Sequence, residues 1–153
     1  MIRVLALDVD GVLTNGEVVL DEAGRESKAL FFRDIDAIFA ARRKGLDVVL
    51  VTGEETPIVD AIARKLEIEH VYAGHRDKAA AVHGVSTALD VPLAQICYVG
   101  DAARDAPALE LVGLGLAPAD AAEEAKAAAD RVLERCGGRG CVEEALRIIF
   151  AGK

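Results

Sequence analysis

The stretch that decides the fold is Val4-Leu5-Ala6-Leu7-Asp8-Val9-Asp10-Gly11-Val12-Leu13-Thr14. Its first four residues form an apolar run of the length expected for a β-strand that is buried on both faces. Asp8 and Asp10 follow at the carboxyl end of that strand, where open α/β sheets bind their ligands, and Gly11 allows a sharp turn. Two carboxylates this close are costly to bury unless a cation or a shared proton offsets their repulsion. The stretch therefore predicts a metal-assisted carboxylate site or, as the simpler alternative, a turn with two solvated aspartates.

The composition is that of a single domain, residues 1–153, with an aliphatic core. Hydrophobic residues make up 52% of the chain and aromatic residues only 4%, so Val, Leu, Ile and Ala must fill the core. The formal net charge of −8 disfavours nucleic acid or an anionic membrane surface as a partner. No apolar run approaches the ~20 residues of a membrane span, and the N-terminus lacks a signal-peptide pattern. The three cysteines are odd in number and lack zinc-ligand spacing, so we expect a reduced, cytoplasmic protein.

The rest of the chain alternates between strand and helix patterns. A β-hairpin is predicted from Glu17 to Phe32, with strands at 18–20 and 29–32 around a polar turn. Asp34 is expected to cap the first helix, which ends at Gly45. Further strands are predicted at 46–51, 70–73, 95–99, 114–116 and 131–133; further helices are predicted from Thr56-Pro57 onward, at 77–89, up to 109, at 119–129 and at the end of the chain. This rhythm predicts a doubly wound α/β fold with a parallel sheet covered on both faces.

Polar residues follow three of the predicted strands. Asp8 and Asp10 end the first strand, Thr52-Gly53 ends the second, and Asp101 with Asp105 ends the fourth. In a parallel sheet all of them point into one crevice, which Lys78 can reach from the start of its helix. A hydroxyl, an ammonium group and several carboxylates are what phosphoryl transfer with Mg²⁺ requires. The predicted chemistry is attack of one carboxylate on phosphorus, with a second carboxylate as the acid and base.

Four segments resemble the signature motifs of the haloacid dehalogenase superfamily of phosphatases, namely Asp8–Thr14, Val51–Gly53, Lys78 and Gly100–Asp105. Within that superfamily the chain is similar, over nearly its whole length, to the branch typified by 3-deoxy-D-manno-octulosonate 8-phosphate phosphatase. The second resemblance is carried by Arg33-Asp34, Pro57-Ile58-Val59, Asp77-Lys78, Tyr98–Asp101 and Gly137–Gly140.

The superfamily resemblance implies a role for each matching residue. Asp8 would be the nucleophile and a metal ligand, and Asp10 would be the acid and base, with its backbone carbonyl also on the metal. Asp101 would complete the Mg²⁺ site, and Asp105 would support it from close by. The phosphate would be bound by Thr52, Gly53 and Lys78.

The branch resemblance implies a protein without a cap domain. Larger superfamily members insert a cap after the first motif or between the second and third, whereas this chain has a hairpin at the first position and one helix and one strand at the second. The branch forms homotetramers in which neighbouring subunits close the active site. The hairpin around Val18–Leu20 is therefore a candidate interface, or else it packs on its own domain. The segment Gly137–Gly140 could similarly cross to a neighbour with Arg139, or be a plain loop.

The expected substrate is a phosphorylated 3-deoxy-2-ulosonic acid sugar with the phosphate on its terminal hydroxyl. Octulosonate phosphatases usually carry Arg directly after the Thr-Gly pair, whereas this chain has Glu54. That difference favours the nine-carbon 2-keto-3-deoxynonulosonate 9-phosphate, while the resemblance as a whole favours the eight-carbon substrate. Candidate substrate-binding residues are Arg33, Asp34 and Glu54; Arg33 with a neighbour's Lys65 or Arg139 would hold the sugar carboxylate.

Two functions without phosphatase activity compete with this interpretation. A phosphoacceptor receiver domain also carries carboxylates, a Thr and a Lys at strand ends, but it does not need Asp101 and Asp105. A catalytically inert oligomerisation module of the same fold would have lost some of the motif residues, and none is missing here.

Overall fold

The computed structural model describes residues 1–152. Within them the chain forms eight strands and six α-helices. The strands are β1 (Val4–Leu7), β2 (Val19–Leu20), β3 (Glu26–Ser27), β4 (Asp47–Val51), β5 (Val71–Tyr72), β6 (Ile96–Val99), β7 (Leu114–Ala117) and β8 (Arg131–Val132). The helices are α1 (Phe32–Arg43), α2 (Pro57–Leu66), α3 (Lys78–Leu89), α4 (Ala106–Leu111), α5 (Glu123–Ala128) and α6 (Cys141–Ala151).

Six strands form one parallel sheet in the order β5-β4-β1-β6-β7-β8. The first strand lies in the middle, with Leu7 opposite Leu50 of β4 on one side and Val99 of β6 on the other. Every side chain of β1 is buried, because helices cover both faces of the sheet. The doubly wound parallel sheet predicted from the sequence is therefore confirmed.

The two faces of the sheet bury separate halves of the core. Leu5 and Leu7 pack on the side of α1, α2 and α6, whereas Val4 and Ala6 pack on the side of α3, α4 and α5. This division follows from the alternation of side chains along a strand. The carboxyl ends of the strands are thereby held rigidly between two helical layers.

The order in which strands are added to the sheet reverses beside β1, and this creates a crevice for a ligand. The chain adds β4 and β5 on one side of β1 and then crosses to add β6, β7 and β8 on the other. Asp8 directly follows β1, and its backbone N–H donates to the carbonyl of Val99 at the end of β6, 3.1 Å away. Ligands of doubly wound folds bind at such a switch point.

The chain after β1 turns over Val9–Leu13, where Thr14 N donates to the carbonyl of Val9 at 3.1 Å and the backbone angles of Asp10 and Gly11 are not helical. Gly11 lies in the left-handed region at φ +80°, where a residue with a Cβ is strained. A Cβ at this position would also clash with the carboxylate of Asp101. The glycine of the first motif is thus required both by the backbone conformation and by the close approach of Asp101.

The hairpin exists, but its second strand was predicted in the wrong place. The strand pairing joins Val19 to Ser27 and Leu20 to Glu26, not 18–20 to 29–32. The Asp21 carboxylate accepts hydrogen bonds from the backbone of Ala23 and Arg25, both at 2.9 Å. This closes a short turn, so the pairing resumes directly after Arg25.

Two helix boundaries also differ from the prediction. Asp34 does not cap α1, which is preceded by Phe31. The helix predicted at 119–129 is only α5, Glu123–Ala128, because the preceding backbone is bonded elsewhere. Ala119 donates to the carbonyl of Arg135, and Ala122 donates to that of Asp101 at 2.7 Å. No domain is inserted between the motifs within residues 1–152, and no helix there is long and apolar enough to span a bilayer.

Candidate active site

A cavity of about 370 Å³ opens at the carboxyl ends of β1, β4 and β6. Its lining contains most of the motif residues predicted from the sequence. The lining residues are Asp8, Asp10, Gly16, Thr52, Gly53, Glu54, Arg76, Asp101, Ala102 and Arg104. The topology of the parallel sheet therefore brings the first, second and fourth motifs together, as expected.

Lys78 lies beneath the cavity and connects the motifs. Its side chain is 1% exposed, and its ammonium group is 3.1 Å from Asp8 Oδ2 and 3.1 Å from Asp105 Oδ1. The hydroxyl of Tyr98, on β6, donates to the same Asp105 oxygen at 2.6 Å. Asp77 begins α3 by accepting a hydrogen bond from Ala80 N, so the helix start fixes Lys78 in this position.

Asp105 supports the site through all of its acceptor positions. While Oδ1 is held by Lys78 and Tyr98, Oδ2 accepts from the backbone N–H groups of Asp101 and Ala102 at 3.0 and 2.9 Å. Asp105 is fully buried. Its carboxylate thus orders the loop that carries Asp101, which agrees with the supporting position predicted for it.

The buried charges at this site do not balance. Asp8, Asp101 and Asp105 can each offer a carboxylate oxygen such that all three lie within 4.8 Å of one another. Lys78 is the one ammonium group in direct contact with this carboxylate cluster among residues 1–152. Because burying an uncompensated charge raises the free energy of the folded state, the cluster as a whole favours binding of one further cation. Asp105 is already saturated with donors, so Asp8 and Asp101 are the oxygens available for it.

Burial and the neighbouring charges raise the pKa of both available carboxylates. Burial raises the pKa of Asp8 to about 7, with Lys78 opposing the increase and the carboxylates of Asp105 and Asp101 adding to it. Burial, followed by the charge of Asp105, raises the pKa of Asp101 to about 6. Protons therefore compete with any cation near neutral pH. Oxygen donors of this type suit a hard divalent ion such as Mg²⁺.

Asp10 has a different environment and lies outside the carboxylate cluster. Its carboxylate is 34% exposed to the cavity and accepts from the Lys28 ammonium group at 2.8 and 3.0 Å. Lys28 also binds Glu54 at 2.8 Å. Burial lowers the pKa of Lys28, but the hydrogen bonds and charges of both partners outweigh this and raise it overall. Lys28, at the end of the hairpin, was missed in the sequence, where it is one charged residue in a polar stretch.

The second motif lines the cavity beside Asp8. The Thr52 side chain is buried, and its hydroxyl accepts a hydrogen bond from Glu54 N at 3.2 Å. Gly53 lies between them on the cavity wall. The hydroxyl and the neighbouring backbone N–H groups of this turn can donate to phosphate oxygens that approach Asp8.

Two of the predicted substrate-binding residues lie outside the cavity. Asp34 is 1% exposed, and its carboxylate accepts from the backbone of Glu143 at 2.9 Å and of Gly140 at 3.4 Å. It therefore caps α6, and this geometry argues against substrate contact. Arg33 pairs with Glu143 at 3.2 Å on the surface. Of the three candidates, Glu54 alone lines the cavity.

The glycine-rich segment packs on its own chain, while Arg139 within it stays exposed. Gly138 N donates to the carbonyl of Val12 at 3.0 Å. A Cβ at Gly137 would clash with the carbonyl oxygen of Gly11. These glycines are required because two backbone segments touch, and the segment thereby supports the turn that carries Asp10.

Arg76 and Arg104 are two cavity residues that the sequence interpretation missed. Arg76 lies in the loop between β5 and α3, and Arg104 lies in a short 3₁₀ turn, Ala103–Asp105, after β6. Both are exposed, and exposed arginines are common in any sequence. Only the folded chain shows that both side chains reach the same cavity.

Comparisons with known proteins agree with this geometry. Residues 68–140 match the model of the haloacid dehalogenase-like hydrolase family. The chain is 36% identical over 149 residues to 3-deoxy-D-manno-octulosonate 8-phosphate phosphatase KdsC of Escherichia coli (strain K12), an alignment that covers 97% of this chain and 79% of the relative. The chain belongs to this phosphatase family of the haloacid dehalogenase-like hydrolases.

Solved structures of the family superpose over almost the whole chain. The phosphatase of Moraxella catarrhalis, in complex with magnesium, phosphate and 3-deoxy-D-manno-octulosonate (KDO), has a TM-score of 0.95 at 30% identity, covering 99% of this chain and 87% of that one. The cobalt-bound enzyme of Haemophilus influenzae has a TM-score of 0.93 at 31% identity, covering 98% and 82%. The family fold without a cap domain, predicted from the motifs, is confirmed.

Proposed function

We propose that this chain is a Mg²⁺-dependent phosphatase that hydrolyses a phosphorylated 3-deoxy-2-ulosonic acid of the KDO 8-phosphate type. The observation that carries the proposal is the carboxylate cluster at the ends of β1 and β6, in which three carboxylates face one ammonium group. An inert module of this fold has no need of such a cluster, whereas phosphoryl transfer does. A receiver domain also carries carboxylates, but it does not need Asp101 and Asp105.

Mg²⁺ fits the oxygen donors present. Asp8, Asp101 and the backbone carbonyl of Asp10 would hold it, and it would neutralise charge on the phosphate during transfer. The magnesium-containing structure of the Moraxella catarrhalis relative supports this assignment. Asp105 would remain a supporting residue, because both of its oxygens already accept hydrogen bonds.

The proposed reaction proceeds in two steps on side chains of this chain. An oxygen of Asp8 attacks phosphorus, the bond to the leaving sugar oxygen breaks, and Asp10 protonates that oxygen. A water molecule then gives a proton to Asp10 and attacks the aspartyl-phosphate, which releases phosphate and regenerates Asp8. Thr52, Gly53 and Lys78 hold the phosphate oxygens, and Lys78 is already in contact with the nucleophile.

The eight-carbon substrate is favoured by the relatives, which are named KDO 8-phosphate phosphatases at 30 to 36% identity. The nine-carbon alternative depended on Glu54, together with Lys65, and on repulsion of a sugar carboxylate by Glu54. Lys28 pairs with Glu54 at 2.8 Å, which offsets its negative charge and weakens its repulsion of a sugar carboxylate. The nine-carbon 2-keto-3-deoxynonulosonate 9-phosphate stays the alternative substrate.

The experiment that tests the function is an assay of phosphate release from both ulosonate phosphates and from a panel of hexose and nucleoside phosphates. We expect the highest kcat/KM for KDO 8-phosphate and loss of activity in EDTA, restored by Mg²⁺. Equal kcat/KM across the panel would leave a general phosphatase, and full activity in EDTA would exclude the metal.

We further propose that the chain forms a homotetramer in the cytoplasm. Apolar side chains of the hairpin region are unusually exposed: Val18 at 47%, Val19 at 66%, Leu20 at 64% and Phe32 at 72%. A neighbouring subunit that covered them would also lie beside Lys28 and the cavity mouth. The three cysteines are free thiols, as expected in a reducing compartment.

Light scattering should therefore give four times the mass of the chain. The double substitution Val19→Lys with Leu20→Lys should shift the protein toward smaller species, because it places charge in the interface. A wild-type protein that is a fully active monomer would disprove the tetramer.

A further inference from the structure

The active-site cavity contains two positive charges that the proposed phosphoryl transfer does not use. Arg76 and Arg104 line its wall. Within residues 1–152 neither guanidinium group has a hydrogen bond or an ion pair. The two lysines at the site, by contrast, are both ion-paired. Lys28 binds Asp10 and Glu54, and Lys78 binds Asp8 and Asp105.

The two arginines come from different elements and reach the same rim. Arg104 lies beside the second motif, with Nη1 3.8 Å from the position that a Cβ would take at Gly53. Arg76 stands two residues before Lys78, in the loop that leads into α3. The same cavity therefore contains two unpaired guanidinium groups as well as the carboxylates of Asp8 and Asp101. A ligand that fits this cavity would have one anionic group that binds the carboxylate cluster through a cation. It would have a second anionic group that binds the two arginines.

Within a single chain, the residues expected to bind a sugar carboxylate do not line this cavity. Arg33 is held by Glu143 on the surface, Arg139 and Lys65 are exposed and do not line the cavity, and Glu54 has the wrong sign. Guanidinium groups bind carboxylates through two parallel hydrogen bonds, and they do so best where no other acceptor occupies them.

We propose that Arg76 and Arg104 bind the carboxylate of the sugar-acid substrate and thereby select ulosonate phosphates over neutral sugar phosphates. This inference depends on the proposed phosphatase function for its substrate class. The same guanidinium groups could instead bind the transferred phosphate. Comparing substrates with and without a carboxylate distinguishes carboxylate binding from phosphate binding.

The test uses Arg76→Met, Arg104→Met and the double variant, each assayed on KDO 8-phosphate and on mannose 6-phosphate, which has no carboxylate. The expected result for the double variant is a decrease of about ten- to a hundredfold in kcat/KM for KDO 8-phosphate, mainly through KM, because charged hydrogen bonds are lost. For mannose 6-phosphate the decrease should be less than about twofold. Arg43→Met is the matched control: it removes one exposed positive charge at the end of α1 that is unpaired within residues 1–152, and Arg43 does not line the cavity.

Binding of KDO itself, which has the carboxylate and no phosphate, gives an independent measurement by calorimetric titration. Wild-type protein should bind it in the presence of Mg²⁺, and the double variant should not. Equal losses on both substrates would assign the arginines to the phosphate and overturn the proposal, as would unchanged kinetics. If the wild type hydrolyses neither ester, the phosphatase function fails, and titration with KDO still decides whether the arginines form a carboxylate site.

Discussion

Asp8→Asn is expected to abolish phosphate release, with kcat reduced at least about a thousandfold. The substitution preserves the shape of the side chain and removes the charged oxygen that we propose attacks phosphorus. It also removes one carboxylate from the cluster that would hold Mg²⁺. The measurement is phosphate release from the preferred ulosonate phosphate at saturating Mg²⁺.

The thermal stability of Asp8→Asn should be equal to or higher than that of the wild type, although its activity is lost. Asp8 is 5% exposed, and its raised pKa of about 7 shows that burial disfavours its ionised form. Asn carries no charge, so in EDTA at pH 8 the variant should unfold at the same temperature as the wild type or higher. At pH 5, where folded Asp8 is largely protonated, this advantage should shrink. Asp60→Asn, at an exposed position of α2, is the matched control and should leave activity and stability unchanged.

A loss of activity with normal folding would identify Asp8 as a reacting group. Activity that survived the substitution would exclude it as the nucleophile. If the variant instead unfolded, the loss of phosphate release would not bear on the chemistry, and a comparison at lower temperature would be needed.

Lys78→Met is expected to destabilise the metal-free protein by about 3–5 kcal/mol. The reason is that Lys78 is 1% exposed and is shared by Asp8 and Asp105, each 3.1 Å away. Met fills a similar volume, but it leaves two buried carboxylates without their cation. Thermal unfolding in EDTA measures this effect, and added Mg²⁺ should recover part of it by binding the folded state.

Phosphate release by Lys78→Met should also fall by at least about a hundredfold, because the cation in contact with the proposed nucleophile Asp8 is lost. Lys126→Met is the control for stability: Lys126 pairs with Glu123 on the surface at 3.3 Å, where an ion pair contributes about 0–1 kcal/mol. A second substitution, Asp105→Asn, should restore part of the stability lost in Lys78→Met. If the two lysine variants unfold at the same temperature, Lys78 does not compensate the buried charge.

The motif spacings were enough to predict which residues gather at the site. Asp8, Thr52 and Asp101 each follow a buried apolar run, and parallel strands place such positions at one edge of the sheet. Lys78 was predictable too, because Asp77 marks the start of its helix. These signals are local, so they can be read without knowing how distant parts of the chain meet.

Residues that act across long separations could not be assigned in this way. Asp34 looks like the cap of the helix that follows it, but it binds the start of α6, 109 residues later. Lys28 lies 18 residues after Asp10 in a hairpin whose pairing was predicted wrongly. A charged side chain in a polar stretch gives no indication of its partner, since the partner is set by the turn geometry.

The sequence by itself determined the α/β class, the order of the motifs and the kinds of side chain at the strand ends, because strand patterns and strand-end residues are properties of short segments. The tertiary structure alone decided the balance of charge around them. It showed that Lys78 is shared by Asp8 and Asp105 and that Lys28 is shared by Asp10 and Glu54. It also left Arg76 and Arg104 unpaired at the rim. Electrostatic energy depends on distance and burial in the folded chain, and neither quantity is present in a linear order of residues.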